Sequence, residues 1–338
     1  MRKLATISDV ARLSGYSVST VSRVINNKPH VTEEKRQRIQ DAMDKLGYTP
    51  LQAARQLRGS GSGTIAVAVP SITNSFFAYL VDAIERTGVE YGYKTLVTQT
   101  HGSKPGEELT LNLLKLHQVD GVVLCSIEND WSHIESFGAY GKLVVCNEYC
   151  EHHSLSTICG KQYQGFYDAC GYLLGKGHKK LGYCTGRMTL TLQPKGRNID
   201  SDRYLGYAEA LGDAGLTPDP RWLFPSGHTM EDGRKIMRQL LPLSDRPDAI
   251  VAGSDEVAAG MVMEALRSGI RVPEDIAILG VDDQPIAACL AVPLTTIAQP
   301  VKEEGQNAAL ELIRQIGEND STPVKKELDL KLVVRASA

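Results

Sequence analysis

Ile7-Ser8-Asp9-Val10-Ala11-Arg12-Leu13-Ser14-Gly15 and, after two further residues, Val18-Ser19-Thr20-Val21-Ser22-Arg23-Val24-Ile25-Asn26 decide how the chain begins to fold. Thr6 and Asp9 have the hydroxyl-x-x-acid spacing of a helix start, Ile7, Val10, Ala11 and Leu13 fall near one face, and Gly15 stands where such a helix stops. Ser17 can cap a second helix in which Val18, Val21, Val24 and Ile25 recur at helical spacing while Ser19, Thr20, Ser22, Arg23 and Asn26 point elsewhere. Two short helices about a tight glycine-containing turn predict a helix-turn-helix. After Asn26-Asn27-Lys28-Pro29, Thr32 is placed to cap a third helix, with Ile39, Ala42, Met43 and Leu46 inward and Gly47 at its end.

The outer face of the second helix has the residues that DNA reading needs: short polar side chains near the N-terminus, hydroxyls for phosphates and an arginine for guanine. Val18, Ser19, Thr20, Ser22 and Arg23 fit, although the same spacing also suits a three-helix interaction domain with a solvated polar face. Charge separates the two readings. The whole chain of 338 residues carries a net charge of -3, which alone speaks mildly against a nucleic-acid partner. Residues 1–60 hold eleven Arg and Lys against five acids, net +6, and the other 278 hold twenty-six against thirty-five, net -9. A basic head on an acidic body suits a phosphate backbone at one end. Between them Arg58-Gly59-Ser60-Gly61-Ser62-Gly63 reads as a flexible linker, not a phosphate loop, because it precedes a strand instead of joining a strand to a helix.

Beyond the linker, short apolar runs at 65–69, 94–98, 121–125, 143–146, 181–185, 249–252 and 276–281 alternate with helical patterns such as 79–91, 164–175 and 257–267. Alternating strands and helices predict parallel sheets with right-handed crossovers, and two successive series predict two α/β subdomains with a ligand cleft at the strand carboxyl ends. A composition 42% apolar and 23% charged supports cores of that size and excludes collagen-like and disordered classes. No apolar run reaches the ~18 residues of a membrane span, and Met1-Arg2-Lys3-Leu4-Ala5-Thr6 lacks a signal-peptide pattern, so a cytoplasmic protein with no membrane partner is expected.

The two N-terminal runs, together with Gly47-Tyr48-Thr49-Pro50 and Ala53-Ala54-Arg55-Gln56-Leu57, resemble the LacI/GalR family of bacterial repressors without a gap. The resemblance implies that Val18, Ser19 and Arg23 read major-groove bases while Thr6, Ser17, Thr20, Asn26 and His30 contact phosphates. It also implies a hinge helix over 51–58, with Leu57 as an apolar wedge at the operator centre and Ala54 in the minor groove. Without the family, Leu57 is an apolar residue at a helix edge. In the body, Pro70-x-x-x-Asn74-x-Phe76-Phe77, Asp202-Arg203-x-x-Gly206-Tyr207, Ser254-Asp255, Gly280-Val281-Asp282-Asp283 and Pro293-Leu294-Thr295-Thr296-Ile297 look like the family's landmarks. Carried over, Asn74, Phe76, Phe77, Asn147, Arg203, Ser254 and Asp282 line an effector cleft with His228 nearby. Carboxylate, amide and guanidinium groups pair with vicinal hydroxyls, and an aromatic face covers a pyranose ring, so the chemistry suits a sugar. Ser254 and Asn147 stand where several sugar-responsive members have asparagine and aspartate, and Asp255 is expected to brace its helix N-terminus instead of touching ligand.

The expected organisation is an N-terminal all-α helix-turn-helix domain at 1–49, a hinge helix and linker at 50–62, and an effector-binding and dimerisation core at 63–338. That core is expected as two doubly wound parallel-sheet subdomains of periplasmic-binding-protein type, the N-subdomain at about 63–160 and 291–320 and the C-subdomain at about 161–290 and 321–338. The expected function is a homodimeric repressor of carbohydrate-utilisation genes that reads a pseudo-palindromic double-stranded operator and answers a small sugar-like effector. A family-like alternative is a global regulator controlled by a phosphoprotein co-repressor. A nucleotide-dependent enzyme has no G-x-G-x-x-G after a strand, no G-x-x-x-x-G-K-[ST], no G-x-S-x-G and no H-E-x-x-H to support it. Seven cysteines among mostly apolar neighbours read as reduced core residues. Cys146, Cys150, His152, His153 and Cys159 have no metal-ligand spacing, so no metal or cofactor is expected.

Overall fold

A computed structural model describes residues 5–25, 29, 31–48, 61–149, 153–185 and 198–338. The chain divides into two units, residues 1–62 and 63–338. In the first, helix α1 (Ile7–Ser14) starts at a capping box in which the Asp9 N–H donates to Thr6 Oγ1 at 3.3 Å and the Thr6 N–H donates back to the Asp9 carboxylate at 3.0 Å. Gly15, at φ 76°, takes the left-handed conformation that closes it. Ser17 Oγ accepts from the Thr20 N–H at 3.2 Å at the head of α2 (Val18–Ile25), and α3 (Glu33–Leu46) ends at Gly47 in the same left-handed region. Thr32 precedes α3 without a side-chain capping bond, leaving Glu33 and Glu34 to complement the helix dipole. Val10, Val21 and Ile39 are fully buried between the three helices, with Val24, Ala42 and Met43 around them.

The second unit contains two six-stranded sheets. Strands β1 (Thr64–Val69), β2 (Lys94–Gln99), β3 (Gly121–Leu124), β4 (Lys142–Cys146), β5 (Ser156–Gly160) and β11 (Lys325–Leu328) make the first, in the order β11-β5-β4-β3-β1-β2. Strands β6 (Leu181–Cys184), β7 (Leu223–Phe224), β8 (Ala249–Val251), β9 (Ala277–Asp282), β10 (Thr295–Ala298) and β12 (Lys331–Val333) make the second, in the order β12-β10-β9-β8-β6-β7. Among the described residues every strand pairing is parallel except β10 with β12. Helices cover both faces, which is why Ile65–Val69 is buried along its whole length and reads as an unbroken apolar run. Among the described residues no helix is long and apolar enough to cross a membrane.

The expected subdomain limits need correcting. Strand β10 pairs with β9 in the second sheet, so 291–298 belongs with the C-subdomain, and β11 pairs with β5 in the first sheet, so 325–328 belongs with the N-subdomain. Strand β10, which begins at buried Thr295 and Thr296, ends its ladder at Ala298 before Pro300 precedes the next helix, α12 (Val301–Glu318), which packs under β4 and β5. The chain therefore crosses between subdomains three times, just after β5, after β10 and between β11 and β12. The expected hinge helix at 51–58 and the first half of the Gly-Ser run, 58–60, lie outside the described residues.

Candidate functional site

On α2, Val21 and Val24 face the core while Val18, Ser19 and Arg23 are exposed and Thr20 and Ser22 are half-buried. Arg23 makes no hydrogen bond or ion pair among the described residues, so its guanidinium can be taken up by a partner. Ser17 Oγ lies 2.8 Å from Ser19 Oγ and 2.9 Å from Thr20 Oγ1, a hydroxyl cluster at the start of that helix. The Thr6 hydroxyl is occupied by the Asp9 carboxylate at 2.7 Å. Asn26, His30, Ala54 and Leu57 lie outside the described residues.

In the second unit the carboxyl ends of the strands surround a cavity of about 250 Å³. Asn74, Phe76, Phe77, Asn147, Arg203, His228 and Asp282 all line it. Asn74 ends the loop after β1 and caps helix α4 (Ser75–Glu90), its Oδ1 accepting from the Phe76 N–H at 2.9 Å. That cap turns Phe76 and Phe77 toward the cleft, their rings 5.3 Å apart and nearly perpendicular. Phe76 is also a core residue, 5% exposed. Asn147 follows β4 in the left-handed region at φ 59°, and its buried Oδ1 has no hydrogen-bond partner.

Arg203 sits on helix α8 (Ile199–Asp213), which lies against α7 (Gln162–Gly175) because residue 206 is glycine: a Cβ there would stand 2.4 Å from the Tyr163 carbonyl oxygen. The guanidinium rests 5.2 Å from the Phe166 ring centroid, and its Nε donates to Gln162 Oε1 at 2.7 Å. No other hydrogen bond or ion pair holds it among the described residues, leaving the two terminal nitrogens for a ligand. Asp282 ends β9 at φ 109° and accepts from Gln299 Nε2 at 2.6 Å and Gln284 Nε2 at 3.1 Å. Burial pushes its carboxyl up to about 6, with Arg203 pulling the other way.

Ser254 is not among the lining residues. It is 2% exposed and caps helix α10 (Asp255–Arg267), accepting from the Val257 N–H at 3.3 Å, while its neighbour Gly253 lines the cavity. Asp255 braces the strand ends: it accepts from Thr296 Oγ1 at 2.6 Å and from the Gln284 N–H at 2.7 Å. Burial, reinforced by the nearby Asp282 charge, pushes it up to about 8. Ser126, Glu128, Glu148, Asp200 and Gln299, none of them among the residues expected from sequence, also line the cavity. Three of them share a signal of position: Ser126, Glu148 and Gln299 come within two residues of the end of a parallel strand. Ser126 is 7% exposed and its Oγ is unpartnered. Of the cysteines and histidines at 146–159, His153 stacks on Trp131 at 5.2 Å and pairs with Glu135 at 3.2 Å, and Cys150 and His152 lie outside the described residues.

Behind the cavity, Glu304 is wholly buried on α12 with neither carboxylate oxygen hydrogen-bonded. Burial and the Asp282 charge push it up to about 8, against a pull from Arg203. An unfolded glutamate titrates near ~4.3, so folding takes up a proton between that value and about 8, and stability falls as pH rises through the window and levels above it. Glu304→Gln keeps the shape and removes the titration. The melting temperature of wild type should therefore drop more steeply between pH 5 and 8 than that of the variant, a difference read by calorimetry; parallel curves would refute a neutral Glu304.

Residues 6–51 match the family described as bacterial regulatory proteins, lacI family, and residues 170–338 match the periplasmic binding protein-like domain. Over 337 residues, 99% of this chain and 100% of the relative, the chain is 39% identical to the NTD biosynthesis operon regulator NtdR of Bacillus subtilis strain 168. Over 334 residues, 98% of this chain and 96% of the relative, it is 32% identical to the HTH-type transcriptional repressor CytR of Escherichia coli strain K12. A solved LacI family transcriptional regulator from Lactobacillus casei with bound glucose superposes with a TM-score of 0.73 at 34% identity, covering 81% of this chain and 99% of that one.

Proposed function

The chain belongs to the lacI family of bacterial regulatory proteins, and from that premise we propose that it is a homodimeric repressor whose operator affinity is set by a sugar-like molecule held between its two α/β subdomains. The observation that carries the effector half is the pairing, in one cavity, of the Arg203 donors and the Asp282 carboxylate with the Phe76 and Phe77 rings. A cation and an anion grip adjacent hydroxyls, and an aromatic edge covers the apolar face of a pyranose. Glucose bound to the Lactobacillus casei regulator supports the same class here. In this reading the cleft binds and does not catalyse, the protein works on DNA in the cytoplasm, and the division of labour follows the expected limits: a reading head at 1–49, a hinge at 50–62 and an effector and dimer core from 63 onward.

A thermal-shift panel of sugars, sugar phosphates and nucleosides tests the effector reading, because a ligand of the native state raises the melting temperature with its occupancy. At least one sugar should raise it in wild type and fail to do so in Asp282→Asn; a panel in which only a phosphate-bearing or nucleoside ligand acts would overturn the sugar class. The DNA half rests on Arg23. Sites selected from a random duplex pool by wild type should form a pseudo-palindrome, and Arg23→Ala should lose discrimination at one base pair per half-site by ~1–3 kcal/mol. Uniform weakening on every sequence would show that Arg23 contacts phosphate and not a base.

A further inference from the structure

Gln162 and Gln299 stand at two of the three places where the chain crosses between subdomains: Gln162 opens α7 directly after β5, and Gln299 separates β10 from α12. Both side chains are buried, at 1% and 7% exposure. Arg203 Nε donates to Gln162 Oε1 at 2.7 Å, Gln162 Nε2 donates to Gln299 Oε1 at 2.9 Å, and Gln299 Nε2 donates to Asp282 Oδ1 at 2.6 Å. Every donor points the same way, from cation to carboxylate.

We propose that Gln162 and Gln299 are positioning residues, a two-amide relay that holds Arg203 and Asp282 apart with both facing the cleft and ties that spacing to two of the segments that join the subdomains. The inference rests on the cleft being the effector site and names how that site is kept ready. A guanidinium and a carboxylate left to themselves pair bidentately and satisfy one another. With two amides between them, each charge is stabilised by a dipole instead, and Asp282 keeps lone pairs beyond those taken by Gln299 and Gln284. Arginine only donates and an ionised carboxylate only accepts, so the two amides have one orientation that satisfies the whole chain. A ligand that grips both ends therefore bears on a bond between two crossing segments.

Glu256, Asp255 and Glu304 couple to the Asp282 charge, and Glu128, Glu148, Asp200 and His228 line the same cavity; none of them hydrogen-bonds the relay amides among the described residues. This isolates the test. Gln162→Met and Gln299→Met keep the length of the side chain and remove the amide. The Asp282 titration is read by carboxyl NMR on the full chain labelled at aspartate carboxyl carbons, assigned with Asp282→Asn. Gln299→Met should move the midpoint upward, since it removes a donor to the anion. Gln162→Met, which does not touch Asp282, should also move it upward by releasing Gln299, and the double variant should go no further than Gln299→Met alone. A midpoint unmoved or lowered in Gln162→Met overturns the relay; if that variant is not recovered folded, Gln162→Leu gives the same readout. Glucose and sucrose titrations are run beside it, with about tenfold weaker binding expected in both single variants. A wild type that answers neither sugar counts against the sugar reading alone, while the carboxyl midpoint still decides the relay.

Discussion

Arg203→Ala abolishes the response to a cleft ligand and leaves operator binding at its ligand-free strength. The residue is 9% exposed, lines the cavity and is held by one hydrogen bond, from Nε to Gln162, which leaves its terminal nitrogens unbonded among the described residues. Two charge-assisted hydrogen bonds to ligand hydroxyls, at ~1.5–3 kcal/mol each, make their loss worth about a hundredfold or more in affinity. An effector shifts an equilibrium only by its differential affinity for two states, so a ligand that no longer binds at working concentration no longer moves the operator complex. The variant also leaves the Gln162 acceptor unpartnered in a buried place, a cost of ~1–3 kcal/mol, so its melting temperature falls and must be measured before the binding result is read. Arg203→Lys separates charge from geometry: an ammonium keeps the positive charge but not the planar fork that holds Gln162 and a ligand together. Fluorescence anisotropy on a selected operator, with and without the sugar that shifts wild type, decides it. An Arg203→Ala protein that still releases operator on sugar addition would remove Arg203 from the effector site.

What is legible in the sequence alone follows the range of the interactions. The head was legible because its signals are local: Thr6 with Asp9, Ser17 with Thr20 and valines three residues apart settle the first two helices, and Ile39, Ala42, Met43 and Leu46 the inner face of the third. The alternation of buried strands and helices gave the layered core for the same reason. Arg203 and Asp282 came from family resemblance, not from their own surroundings, since neither neighbourhood is distinctive by composition. Gln162 and Gln299 escaped because an amide in sequence looks like surface, and the bond that gives these two meaning spans 137 positions. Glu304 escaped in a different way. As one of two acids in the first turn of α12 it reads as a dipole-complementing surface charge, and only the packing of that helix beneath β4 and β5 shows that it is sealed off. The misplaced subdomain limits have one cause: a chain that crosses three times leaves no compositional mark where Ala298 ends one sheet's strand and Pro300 precedes the other subdomain's helix.

Raising salt should weaken operator binding steeply, and the charge distribution says by how much. Each head carries +6, so a dimer presents twelve net positive charges to the duplex while each body carries -9 that the same phosphates repel. Some head cations are already paired, Arg12 with Asp9 and Arg36 with Glu33 at 3.8 Å, but exposed pairs of this kind are worth ~0–1 kcal/mol and give way to phosphate at little cost. Six to ten phosphate contacts is therefore a reasonable share for two heads, and at that number affinity falls by ~10³–10⁵-fold between 50 and 200 mM salt, with a log-log slope of about -0.9 per neutralised phosphate. Substituting one phosphate-facing cation should lower the slope by about one, whereas Arg23→Ala should leave it nearly unchanged while relaxing sequence choice. The same titration with non-specific duplex should give a similar slope, because that term carries no sequence information. A flat response on operator would mean that the basic head does not meet the backbone, and with it the division of a nearly neutral chain into a DNA-facing end and a repelled body would lose its physical basis.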